Sequence, residues 1–326
     1  MKKLSKQEKM NKNNKKTMRK TTMLFATFAF ASLISFTSCD TDETQTVATF
    51  TNLVMADEFD VEGAPNSEYW NLDTGTGFDG WGNNELQYYT DRPENVTVQN
   101  GLLVISALEE DFNGSSFTSA KLITKGKFSQ AFGRFEARIK VPGGSGLWPA
   151  FWLLGENDDT DGWPQCGEID IMEYRRQEPT KVSGSIHGPG YSGETSPQGQ
   201  VTKSYDLGSA RYDDDFHVFG IEWGYQYINY YIDGVLYNQI TPADITVTPT
   251  DAVYTLNDGV EAVEATEDTP AVEAVEPTDV TGDWVFNKPF YIIINLAVGG
   301  NFPGNPDIGE TFPQNMLVDY VRVYKQ

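Results

Sequence analysis

The chain has 326 residues, 39% of them apolar and 13% aromatic, and sets 47 acidic against 24 basic side chains for a net charge of −23. Acid in this excess repels polyanions, which excludes nucleic acid and disfavours sulfated polysaccharide as partners. The length admits one large or two modest domains, and two Cys with two His supply neither a disulfide framework nor a His-rich metal site.

Residues 1–38 stand apart. Met1–Lys20 carry nine Lys and Arg against one Glu, and Met23–Phe36 are apolar, a run too short to span a membrane comfortably. The pattern predicts a cleaved export signal, with Met1, Met10 and Met18 all available as start residues. The apolar run closes on Phe36-Thr-Ser-Cys39, which resembles a bacterial lipoprotein cleavage site. Cys39 is therefore the expected lipidation site, anchoring the mature chain to a membrane by its N-terminus. Asp40-Thr-Asp-Glu43 resembles the acidic signal of surface lipoproteins, so the expected location is the outer membrane or cell surface of a Gram-negative bacterium. Residues 39–49 read as a polar tether. Removal of 1–38 takes nine basic residues and one acidic residue, leaving 15 against 46 and a net charge of −31, which suits a neutral polymer as substrate.

From Thr51 onward, runs rich in Val, Ile, Tyr and Phe alternate with Gly, Asn and Asp turns, and no sustained amphipathic helix follows. One all-β sandwich over residues 50–326 is expected. Asn100-Gly101 reads as a turn into the strand that begins at Leu102. Further on, Gly167-Glu-Ile-Asp-Ile-Met-Glu173 places three carboxylates among β-favouring apolar residues. Side chains alternate faces along a strand, so Glu168 and Asp170 share one and Glu173 falls on the other. A β-bulge near Met172 would return Glu173 to the shared face. Three acids side by side resist burial and raise one another's pKa, so they call for an open cleft. An ionised carboxylate beside a protonated one is the equipment of glycoside hydrolysis. A merely solvated strand face would mix in Thr, Ser and Lys, whereas no Lys or Arg lies between Lys140 and Arg175. Cys166 shares parity with Glu168 and reads as a small buried side chain rather than a nucleophile. His217 reads as strand packing, while His187 sits in a Gly/Pro-rich turn after a strand. Asp233-Gly234 marks the tip of a hairpin. Residues 241–283 hold eleven acids and no Lys or Arg, with near-repeats at Val260–Ala265 and Ala271–Glu276; they read as an acidic low-complexity insertion that adds little to packing.

An ordered series of blocks then narrows the reading. Gly80-Trp-Gly-Asn-Asn-Glu-Leu-Gln-Tyr-Tyr-Thr90, Gly133-Arg-Phe-Glu-Ala-Arg-Ile-Lys140, Gly146-Leu-Trp-Pro-Ala-Phe-Trp152, Ile186-His-Gly-Pro-Gly-Tyr191, Asn295-Leu-Ala-Val-Gly-Gly-Asn301 and Val318-Asp-Tyr-Val-Arg-Val-Tyr324 resemble those of bacterial laminarinases. From about Thr51 to Lys325 the chain resembles the β-glucanases of glycoside hydrolase family 16. The resemblance implies a β-jelly roll with a concave glucan cleft and endo-hydrolysis of β-1,3-glucan with retention, by a monomer that uses no catalytic cofactor. Mixed-linkage β-1,3-1,4-glucan is a second candidate substrate. Glu168 maps onto the nucleophile, Asp170 onto the assisting acid, Glu173 onto the acid/base, and His187 onto a supporting position near the leaving group. Trp148, Trp152 and Trp163 flank the acids as stacking candidates, with one of the Trp148/Trp152 pair expected in the core. Asn84 and Arg138 are expected to hydrogen-bond sugar hydroxyls. Lys121 stands where many relatives carry Arg, and Phe302 where many carry Trp. The resemblance also implies a structural Ca²⁺ held by Glu58, the Gly101 carbonyl and Asp319. Two rival readings are a non-catalytic glucan-binding relative, which should have lost carboxylates, and a related agarase or carrageenase.

Overall fold

The computed structural model describes residues 50–193, 201–247 and 280–326. Cys39, the signal and the tether lie outside them, as do residues 248–279 of the acidic segment. Two large sheets carry the fold. In the first, the strands run in the order Val235–Ile240, Tyr227–Ile232, His217–Gly224, Gly133–Lys140, Gln314–Lys325, Leu102–Phe112, Ser115–Ser119 and Gln87–Tyr89, with Asn52–Asp57 and Val96–Gln99 paired alongside. In the second the order is Val201–Asp206, Lys181–His187, Glu168–Glu173, Leu147–Gly155, Phe290–Val298, Lys121–Ile123 and Asn71–Asp73. Long crossovers connect the two layers, so strands distant in sequence lie side by side, as expected of a jelly-roll sandwich. Among the described residues, helix is confined to short turns such as Asp158–Asp161 and Gly80–Asn84.

Period-two alternation builds the core. Phe135, Ala137 and Ile139 of one sheet and Phe151, Leu153, Ile292, Ile294 and Leu296 of the other are fully buried in a single apolar cluster. Truncating one of these large side chains to Ala costs about 2–5 kcal/mol. The turn chemistry read from sequence holds. Asn100 and Gly101 have φ of 55° and 74°, and Asp233 and Gly234 have 51° and 78°. These are the left-handed pairs of two-residue hairpins, whose twist matches the flanking strands. Where the acidic segment leaves and re-enters the fold, Thr246–Val247 pairs with Val280–Thr281.

Candidate active site

The strand Glu168–Glu173 lies between Leu147–Gly155 and Lys181–His187. Glu168, Ile169 and Asp170 oppose Leu154, Leu153 and Trp152; Met172 and Glu173 then oppose Phe151 and Ala150, so the ladder skips Ile171. The expected bulge is therefore present at Ile171–Met172. Both residues, with Ile169, are buried in the core at 2% exposure or less. Two consecutive side chains on the core side free Glu173 to join Glu168 and Asp170 on the outer face; regular pairing would have turned it inward. Leu154 and Ala150 set Glu168 and Glu173 four residue steps apart along the neighbouring strand.

Cross-strand pairing adds His187 opposite Glu168 and Ser185 opposite Asp170. His187 Nε2 lies 3.2 Å from Asp170 Oδ2 and 3.9 Å from Glu168 Oε1. Burial pushes the Asp170 carboxyl well above the usual carboxylate range, and the charges of Glu168 and Glu173 push it the same way. Burial also raises Glu173, to about 7; Glu168 adds to this, while His187 and the Trp148 N–H pull against it. For His187 burial opposes the charge, but the contact with Asp170 and the nearby Glu168 and Glu173 outweigh it and lift the ring to about 9. The site thus holds an internal cation among three acids. Glu168, Asp170 and His187 each offer a donor atom within 4.8 Å of the others, yet a protonated imidazole already fills the cationic role there, and a metal ion would have to displace its proton. Cys166 is fully buried with its thiol pushed up to about 11, chiefly by burial, which leaves it inert as a nucleophile.

The tryptophans correct one expectation. Trp148 and Trp152 both lie on the acid-bearing face, at register positions opposite Ala297 and Ile293, and neither enters the core between the sheets. The outer face is itself apolar enough to seat Trp152: Ile123, Tyr291 and Ile293 form a small buried cluster against it. Trp148 donates to Glu173 Oε1 at 3.1 Å and packs on Phe302, ring centroids 5.0 Å apart. Trp163 is 53% exposed and donates to Glu168 Oε2 at 2.9 Å. Phe302 sets an aromatic ring beside Trp148, and the Arg175 guanidinium lies 4.7 Å from its centroid.

A second polar group continues along the same face. Lys121 pairs in register with Asn295. Its ammonium lies 4.1 Å from the Trp81 ring centroid, 5.4 Å from that of Trp152 and 3.5 Å from Asp73 Oδ2. Burial lowers its pKa against the pull of Asp73 and Glu85. Asn295 accepts from Trp152 Nε1 at 2.8 Å and donates to Tyr89 Oη at 3.0 Å. Gln87 donates to Glu85 at 2.7 Å, and burial raises the Glu85 carboxyl. Asn84 donates to Asn301 at 3.0 Å, which pins the Gly80–Asn84 loop to the end of the Phe290–Val298 strand. Asn295, Glu85 and Trp81 were not singled out from sequence. Asn295 carried a readable signal, being the lone polar residue in Phe290–Val298 apart from the tyrosine.

Arg138 is a second correction. Its strand belongs to the other sheet, between Gln314–Lys325 and His217–Gly224. Ala137 and Ile139 enter the core, so Arg138 points outward on the far side, where it pairs with Asp319 at 2.7 Å and lies over the Phe216 ring. It cannot reach a sugar beside Glu168. His217 belongs to the same sheet and contacts Asp233 at 2.7 Å, as packing and a turn bond. Of the residues expected to hold Ca²⁺, Asp319 is engaged by Arg138, and Glu58 takes Arg322 on both oxygens at 2.7 and 2.8 Å. A cation there competes with two guanidinium groups.

Residues 79–274 match the family Glycosyl hydrolases family 16. A β-glucanase of Rhodothermus marinus is 36% identical over 315 residues, covering 95% of this chain and 96% of that one. Among solved structures, the endo-β-1,3-glucanase of Pyrococcus furiosus superimposes with a TM-score of 0.68 at 43% identity, over 84% of this chain and 94% of that one. The laminarinase catalytic domain of Thermotoga maritima gives 0.68 at 39%, over 84% and 98%.

Proposed function

The chain belongs to glycosyl hydrolase family 16, and from that premise we propose that it is an endo-acting, retaining β-1,3-glucanase. The observation that carries the reading is the bulge at Ile171–Met172, which sets Glu168 and Glu173 on one face with Glu173 raised to about 7. Near neutral pH Glu173 keeps a proton to give to the glycosidic oxygen as the bond to the anomeric carbon breaks. A Glu168 oxygen forms the new bond to that carbon, giving a covalent glycosyl-enzyme. Glu173, now a carboxylate, takes a proton from water; the water oxygen bonds to the anomeric carbon and Glu168 is released. Asp170, its carboxyl raised by burial and its acidic neighbours and paired with His187, orients and stabilises Glu168, and His187 balances the charge of the group. The relatives named for β-1,3-glucan support the linkage, and mixed-linkage glucan is a further candidate substrate. A purely glucan-binding role has no use for three intact, bulge-aligned acids. NMR of the first product from laminarin should show the β-anomer; an initial α-product, or no cleavage, rejects the proposal.

We also propose that the mature chain is a monomeric lipoprotein anchored through Cys39 in the outer membrane or at the cell surface of a Gram-negative bacterium. Mass spectrometry of the mature N-terminus should find lipid on Cys39, and an unmodified terminus within residues 30–45 rejects the anchor. A structural Ca²⁺ at Glu58, Gly101 and Asp319 has the hard oxygen donors such an ion takes. Millimolar Ca²⁺ should then raise the melting temperature of the wild type and leave that of Asp319→Ala unmoved; equal shifts discard the site.

A further inference from the structure

Each of the two catalytic glutamates carries one indole donor. Trp148 Nε1 stands 3.1 Å from Glu173 Oε1, and Trp163 Nε1 stands 2.9 Å from Glu168 Oε2. The donors reach the acids from different places. Trp148 lies two positions along the neighbouring strand from Ala150, the residue opposite Glu173. Trp163 lies in the segment that precedes the Glu168 strand. The arrangement is not a general habit of tryptophan on this face, since Trp152 gives its N–H to Asn295 and the Trp81 N–H is buried without a partner.

We propose that Trp148 and Trp163 are positioning residues whose indole N–H groups hold the Glu173 and Glu168 carboxylates in their reacting orientation, a role separate from stacking on sugar. An indole N–H donates and cannot accept, so it gains most when its partner is ionised. It also occupies one carboxylate oxygen and leaves the other for the substrate. On Glu168 this commits Oε2 to Trp163, and Oε1, the oxygen nearer His187, is left to attack. On Glu173 the donor opposes burial: it favours the ionised form that must take a proton back from water in the second step. The Trp148 ring is itself fixed against Phe302, so the donor does not follow the carboxylate if it rotates away.

The inference rests on the retaining-glucanase reading, and wild-type product stereochemistry tests that reading separately. Trp148→Phe and Trp163→Phe keep an aromatic ring and lose the N–H. In Trp148→Phe the alkaline limb of kcat/KM should move up by about one pH unit, the scale of a lost hydrogen bond to a charged group, with KM within about twofold of wild type. In Trp163→Phe kcat should fall about tenfold even on an aryl glycoside with a good leaving group, while the alkaline limb on laminarin stays in place. A stacking role alone predicts otherwise: an unmoved limb in Trp148→Phe too, and effects confined to KM in both variants. A second measurement needs no altered tryptophan. In ¹⁵N-Trp wild type, one indole resonance should titrate with the apparent pKa of the alkaline limb, and its titration should vanish in Glu173→Gln. An unmoved limb in Trp148→Phe, or no indole resonance that follows Glu173, overturns the proposal.

Discussion

Glu168→Gln and Glu173→Gln should each lose at least about a thousandfold in kcat/KM on laminarin, with melting temperatures near that of the wild type. The amide keeps the shape of the carboxylate and the indole N–H can still donate to its oxygen, so the fold has little reason to change. Chemistry is lost for two different reasons. The amide of the first variant has no carboxylate oxygen to form the glycosyl-enzyme, and the amide of the second has no proton to give the leaving group.

Azide separates the two roles. In Glu173→Ala an activated aryl glycoside still loads Glu168, because a good leaving group departs without acid. Azide can then attack the glycosyl-enzyme without a general base, giving a β-glycosyl azide and restored turnover. In Glu168→Ala azide can only enter where the carboxylate stood, giving the α-product. A β-azide from Glu168→Ala, or an α-azide from Glu173→Ala, would exchange the two assignments. The Cys166 thiol offers no alternative route, since it is buried and pushed up to about 11.

The acids were legible in the sequence because their spacing conflicts with the strand period. Glu168 and Glu173, five apart, cannot share a face without an extra residue, and a bulge is the local device that supplies one. The same parity placed Trp148 and Trp152 together but did not say which face was the core. Large aromatic rings favour burial, and one was expected inside; the outer face has its own apolar floor at Ile123, Tyr291 and Ile293, and both rings rest on that side. Arg138 failed for a different reason. Its block was recognised, but which sheet receives Gly133–Lys140 depends on pairing with strands near residues 220 and 320, and nothing local encodes that. Asn295 was visible as a polar amide in an apolar strand, though not its partners Trp152 and Tyr89. The indole contacts to Glu168 and Glu173 depend on side-chain rotamers and on pairing across strands, which no local pattern of residues encodes.

Raising the pH should remove activity through Glu173 before it unfolds the protein. Burial, with Glu168 adding to it, holds Glu173 up at about 7. Its acid form, the proton donor, therefore dominates below that value, and kcat/KM should fall tenfold per unit well above it. The limb should flatten for an aryl glycoside whose leaving group needs no proton, because Glu173 then serves only in the second step. Stability moves in the same direction. Glu173 is raised in the folded state from an ordinary 4.5, so the native protein binds the extra proton; the stability this confers is full below 4.5 and is lost as pH rises through about 7. His187 is raised from 6.5 to about 9, so its contribution is full below 6.5 and is lost as pH rises through about 9. Melting temperature should thus decline from mildly acid to alkaline pH in two stages. Asp170 is raised as well and loses its own contribution as pH rises, so Glu173→Gln should shrink the first stage and leave the decline from His187, and His187→Gln should remove the second stage. Thermal unfolding of the three proteins between pH 4 and 10 measures this directly. If stability instead rises with pH through neutrality, or if the lower stage in Glu173→Gln is as large as in the wild type, the site does not hold its protons as the geometry of Glu168, Asp170, Glu173 and His187 requires.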